Sequence, residues 1–146
     1  MKAKFAFALA GVVLVAGCAS DAPYREARDG GEPGYTDTLE TAARAAVAFQ
    51  GDADTEPARI HEYALLRAAQ VTRDGGYDWF FIVPPQGVQP ASAPLPTGPY
   101  GDVTPYYDPA RRTVSLDIVM GRGQRPPNNP LAFDARELAR DLEHLK

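Results

Sequence analysis

The groups in this 146-residue chain that can do chemistry are one cysteine, two histidines and a few arginines set among aromatic residues. Cys18 follows Val15, Ala16 and Gly17. Its thiolate is the strongest nucleophile in the chain, and the small residues at 16 and 17 leave the backbone just before it open to approach. Because the chain has no second cysteine, no disulfide can form within it, and an odd cysteine in an exported protein is expected to have a special fate. Arg67, Asp78, Trp79, Tyr106, Tyr107 and Arg122 are the candidates for holding a ligand or partner. Guanidinium groups fork onto carboxylates and phosphates, and aromatic side chains bring wide apolar contact. His61 and His144 do not have the spacing of a metal site. Ser20, Ser92 and Ser115 lack a nucleophile-elbow pattern, and the acidic residues are scattered. The sequence therefore shows no catalytic residues, and it points to a binding or structural role ahead of an enzymatic one.

Cys18 closes a tripartite leader. Lys2 and Lys4 come first, an apolar run from Phe5 to Val15 comes next, and small residues end it. That is the order of an export signal, and the run is shorter than the roughly 20 apolar residues a membrane span needs. Val15-Ala16-Gly17-Cys18 resembles the bacterial lipobox, with cleavage expected between Gly17 and Cys18. The resemblance implies a diacylglyceryl group on the sulfur and an N-acyl chain such as palmitate on the freed amine. Each buried methylene adds about 0.8 kcal/mol, and durable attachment takes more than one chain. The rule for such lipoproteins retains those with Asp after the cysteine in the inner membrane. Here Ala19 stands in that place, so the expected location is the outer membrane, with the domain facing the periplasm.

Removing Lys2 and Lys4 takes the 15 basic residues to 13, against 19 acidic, for a net charge of −6 after Gly17. Nucleic-acid binding, which calls for a basic face, is not indicated. Residues 18–41 read as a lipidated flexible tether, since Pro23, Gly30, Gly31, Pro33 and Gly34 break any periodic pattern. Such a coil would span about 25 Å. Tyr35-Thr36-Asp37-Thr38 is the least linker-like part of it and could pack on the domain.

The domain is expected over 42–146. Ala45, Val47 and Phe49 alternate with small or polar residues as a short strand does, ending at Gly51-Asp52. Thr55 or Asp54 then caps a helix with Pro57 in its first turn, running to about Asp74 and stopping at Gly75-Gly76. Ile60, Tyr63, Ala64, Ala68 and Val71 share one face of that helix. Arg67 falls on the same face, where its stem can pack while its head snorkels, pairs with a carboxylate such as Asp78, or binds an anion. Tyr77 to Val83 is a strand with apolar residues on both faces, read as core or as part of a ligand pocket. It should run parallel to the first strand, across the helix.

Four ordered motifs carry a resemblance. Gly34-Tyr35-Thr36-Asp37-Thr38, Val47-Ala48-Phe49-Gln50-Gly51-Asp52, Leu65-Leu66-Arg67-Ala68-Ala69-Gln70-Val71-Thr72 and Gly76-Tyr77-Asp78-Trp79-Phe80 resemble successive motifs of a family of small uncharacterised lipoproteins from Gram-negative bacteria. Ala45 and Asp52 stand where that family is expected to carry a larger residue and Asn. The resemblance implies an anchored envelope domain with no established reaction, so it assigns no catalytic residue.

Residues 84–112 hold eight prolines and read as a long Pro-rich loop insertion, with Tyr106 and Tyr107 offering a partner-binding arm. Val114, Leu116, Ile118 and Met120 form a half-buried strand, expected to lie antiparallel to the Tyr77 to Val83 strand. Gly121-Arg122-Gly123 ends it, a solvated turn that could also attract an anionic group. Asp134 and Glu137 make a capping-box-like pair for a last helix carrying Leu138, Leu142 and Leu145. The expected fold is α+β, a small two-layer βαββα sandwich. The expected role is a lipid-anchored interaction or structural module. An envelope protein is the expected partner, and a small-ligand or peptidoglycan-binding domain is the alternative. No cofactor or metal is expected beyond the covalent lipid.

Overall fold

The computed structural model describes residues 23–84 and 106–146. In chain order they form β1 (Gly34–Thr41), β2 (Arg44–Gln50), α1 (Pro57–Asp74), β3 (Trp79–Val83), β4 (Tyr107–Asp108), β5 (Thr113–Gly121), β6 (Ala132–Asp134) and α2 (Ala135–Leu142), with a 3-10 turn at Glu143–Leu145 after them. The sheet order is β1-β2-β5-β3-β6, with β4 beside β5, and every pairing is antiparallel. Both helices pack on one face of the sheet and against each other, a two-layer α+β arrangement.

The alternation read from the sequence sets the register. Phe49 pairs with Val114, Val47 with Leu116, and Ala45 with Ile118, all turned toward the helices. Phe80 and Ile82 join them from β3, opposite Met120 and Ile118. Leu65 and Leu66 of α1 complete the core with no exposed surface. Burying each such side chain stabilises the fold by roughly 1.5–3 kcal/mol. β2 and β3 are both antiparallel to β5, so they run parallel to each other as expected, but β5 lies between them.

The βαββα order is incomplete, because three strands join it. β1 takes up residues 34–41 of the expected tether. It is an edge strand whose residues past Tyr35 are exposed, so it has no apolar period to read. β4 and β6 are two and three residues long, too short for alternation to register. β4 and the Asp108 turn also bring residues 106–112 of the expected loop insertion into the sheet. Residues 85–105, the rest of that insertion, lie outside the described residues.

Helix ends follow local chemistry. α1 starts at Pro57, but neither Thr55 nor Asp54 caps it; the flanking Glu56 makes no side-chain cap. Asp52 instead accepts from the backbone N–H of Asp54 and Thr55 and from the Thr55 hydroxyl at 2.6 Å, folding the turn before the helix. Those hydrogen bonds, that of Thr55 first, hold the Asp52 carboxyl below its ordinary pKa. α2 is capped as expected. The Asp134 carboxylate accepts from the N–H of Arg136 and of Glu137, each at 2.9 Å.

The pairing gives the sheet two distinct ends. β1 and β5 begin, and β2 ends, at one of them, the near end. The far end gathers the β1–β2 turn, the start of β3, the end of β5 and the Gly75-Gly76 stop of α1.

Candidate functional site

Asp78, Trp79 and Arg122 come together at the far end. The start of β3 is fixed there by backbone hydrogen bonds from Asp78 N–H to the Gly121 carbonyl and from Ala135 N–H to the Asp78 carbonyl. The Trp79 ring lies over Gly121, where a Cβ would sit 2.0 Å from a ring carbon, so any larger residue would displace the ring. The Trp79 indole N–H donates to the Arg122 carbonyl at 3.3 Å. Arg122 in turn donates from Nε to the Gly76 carbonyl at 3.1 Å and places its guanidinium 4.8 Å from the centre of the Tyr77 ring. Asp78 accepts from the Gly123 N–H at 2.7 Å, and Arg136 reaches it at 3.9 Å. Asp78 is thus a brace for the turn after β5.

Beside this brace lies a cleft of about 270 Å³ lined by Arg73, Asp74, Gly76, Tyr77, Asp78 and Arg136. Arg73 is exposed and Arg136 is mostly so. Their N–H donors can receive a carboxylate or phosphate, and Tyr77 lines the cleft beside them.

Arg67 lies elsewhere, and its partner is Asp37 of β1. Its Nε donates to Asp37 Oδ1 at 2.7 Å, its Nη1 donates to Gln70 Oε1 at 3.3 Å, and its guanidinium sits 4.3 Å from the Tyr35 ring centre. Asp78, the carboxylate expected to pair with it, is occupied at the far end. Burial works against the Arg67 charge, but the hydrogen bond and charge of Asp37, with the Tyr35 and Tyr24 hydroxyls, raise its pKa above the ordinary value. The pair spans β1 and α1 and stitches the edge strand onto the helix layer.

Tyr24 completes this cluster. Its ring lies 5.1 Å from Tyr35, 5.5 Å from Tyr63 and 6.2 Å from Phe49, and its hydroxyl donates to Gln70 at 2.6 Å. Burial drives its hydroxyl pKa well up. The backbone follows the ring. Tyr35 N–H donates to the Arg25 carbonyl at 2.8 Å, and Ala27 N–H donates to the Tyr35 carbonyl at 2.9 Å, a single parallel bridge on the outer edge of β1. Gly34 makes room for it. Its φ is +148°, and a Cβ there would lie 2.6 Å from the Arg25 carbonyl oxygen. Sequence reasoning missed Tyr24, Asp37 and Gln70. The one available signal was Tyr35-Thr36-Asp37-Thr38, which departed from linker composition.

Tyr106 and Tyr107 are half-buried against the edge of the core, Tyr107 opposite Val114, and burial raises the Tyr106 pKa. As placed they are packing groups. Trp79, Phe81 and Val83 point to the sheet face opposite the helices, where they are half-exposed, with Val119 beside Phe81. The Trp79 and Phe81 rings stack at 6.4 Å. No described helix covers this face. Gly17 and Cys18 lie outside the described residues. Among the described residues, no group of His, Cys, Asp and Glu side chains could hold a metal ion, and no helix is long and apolar enough to cross a membrane. No protein-family model matches the chain, and no curated protein or solved structure matches it.

Proposed function

We propose that this chain is a lipid-anchored envelope protein, acylated at Cys18 after cleavage at Gly17, held at the outer membrane with its domain in the periplasm, and acting as an interaction or structural module. The leader and the lipobox-like residues support the anchor, and the four motifs that resemble those of Gram-negative lipoproteins support the compartment. The observation that carries the interaction role is the sheet face that no described helix covers, where Trp79, Phe81, Val83 and Val119 lie together half-exposed. Aromatic residues at the centre of a patch are the groups that dominate binding energy when a partner excludes water from them. A photo-crosslinking residue at Phe81 should capture a discrete envelope partner in cells, and one at exposed Arg140, on α2 in the opposite layer, should not. Equal capture at both positions would contradict the reading. Cys18→Ala should abolish acyl labelling and membrane fractionation.

A second reading has its own observation, the far-end cleft edged by Arg73 and Arg136 with Arg122 alongside. It fits a small carboxylate-bearing ligand such as a peptidoglycan stem peptide. Titration with soluble peptidoglycan fragments tests it: saturable binding, lost in Arg73→Ala and Arg136→Ala, is the expected result, and no saturation removes it.

A further inference from the structure

We propose that Tyr24 to Ala27 clamp the domain end-on against the bilayer, with the near end toward the lipid and the far-end cleft turned away from it. This rests on acylation of Cys18. The length of chain between anchor and fold is the first constraint. A coil over residues 18–41 would let the domain hang freely about 25 Å away. The fold instead takes hold at Tyr24, whose ring sits between β1, β2 and α1 and whose hydroxyl is bonded to Gln70. Cys18 and Pro23 are five residues apart, a reach of at most about 17 Å.

Direction comes from the bridge at Tyr35. Residues 25–27 run parallel to β1. The chain therefore arrives from the end where β1 begins, the near end. The turn at Gly51–Glu56 lies there, because β2 ends at Gln50 and α1 starts at Pro57. The eight residues of β1 put the far end about 26 Å further from the lipid. Charge does not set this orientation. Asp52, Asp54 and Glu56 of the near-end turn sit beside Arg111 and Arg112, the latter bonded to the Asp52 and Thr55 carbonyls, so this end carries both signs of charge. The short reach of the anchor and the docked Tyr24 set it.

The test uses the full chain, purified from bacterial membranes and reconstituted into phosphatidylethanolamine and phosphatidylglycerol vesicles that carry a nitroxide on some headgroups. The Cys18 sulfur is blocked by its lipid, so a fluorophore goes only to an introduced thiol, Asp54→Cys at the near end or Gln124→Cys at the far end. Quenching at 54 should be several-fold stronger than at 124. Tyr24→Ala should bring the two together, and Tyr24→Phe, which keeps the ring in its cluster, should preserve the difference. A circular dichroism melt of each variant checks that it folds. Equal quenching at both sites in acylated protein overturns the clamp and leaves the anchor standing. Labelling of Cys18 itself, with no acyl mass on the protein, overturns the anchor and the clamp with it.

Discussion

Among the described residues two arginines stack on tyrosines, and only one of them is enclosed. Arg67 lies over Tyr35 with Asp37 at 2.7 Å, Gln70 beside it and Tyr24 closing the edge. Arg122 lies over Tyr77 with a backbone carbonyl at 3.1 Å and is itself exposed. The same pair of residue types is therefore a structural joint at the β1 edge and an accessible group at the far end. What separates them is a carboxylate at contact distance and a second ring. Arg67 gives its Nε and one terminal N–H to Asp37 and Gln70 under the Tyr35 ring, whereas Arg122, held through Nε alone, keeps its terminal N–H groups open to solvent.

The contrast can be broken most forcefully through Phe49. It is fully buried and floors the cluster of Tyr24, Tyr35 and Tyr63. Phe49→Ala should lower stability by about 3–5 kcal/mol, read by urea or thermal unfolding. Arg67→Ala should cost about 2 kcal/mol, because it leaves Asp37 without its charged hydrogen bond in a setting only partly open to water. A double-mutant cycle with Asp37→Ala should return a coupling of roughly 1 kcal/mol or more. A third prediction is alkaline weakening of the Tyr24 contact. The folded state holds the Tyr24 hydroxyl protonated above its unfolded pKa, so its contribution is full below about pH 10 and is lost as pH rises beyond it. Tyr24→Phe should flatten that fall between about pH 10 and 12, as measured by denaturant midpoint. The smallest effect belongs to Arg122→Ala, which should change stability by less than about 0.5 kcal/mol.

The sequence displayed the parts of the fold that repeat an apolar residue at a fixed period. Ala45, Val47 and Phe49, the face of α1, Phe80 and Ile82, and Val114 to Met120 all lie where their spacing put them. The Asp134 cap was legible for a similar reason, since a short side chain three residues before Glu137 has one obvious use. β1 was not legible, because an edge strand exposed on both faces carries no period, and Thr, Asp, Leu and Glu in Gly34–Thr41 read as spacer. The candidate site was half legible. Asp78, Trp79 and Arg122 converge, yet they do so through pairing of β3 with β5 across more than 40 residues, which no local pattern announces. Arg67 was visible as an arginine in need of a partner. Its partner Asp37 came from the strand that could not be seen.

Whether residues 23–27 belong to the fold or to a tether decides how the whole molecule is read, and amide hydrogen exchange of the full chain measures it directly. The Tyr35 and Ala27 amides, which donate to the Arg25 and Tyr35 carbonyls, should exchange orders of magnitude more slowly than those of Gly30 and Gly31 in the adjoining turn. Exchange at Tyr35 and Ala27 as fast as in that turn would mean the segment is free, and the clamp, with the end-on orientation it imposes, would be wrong.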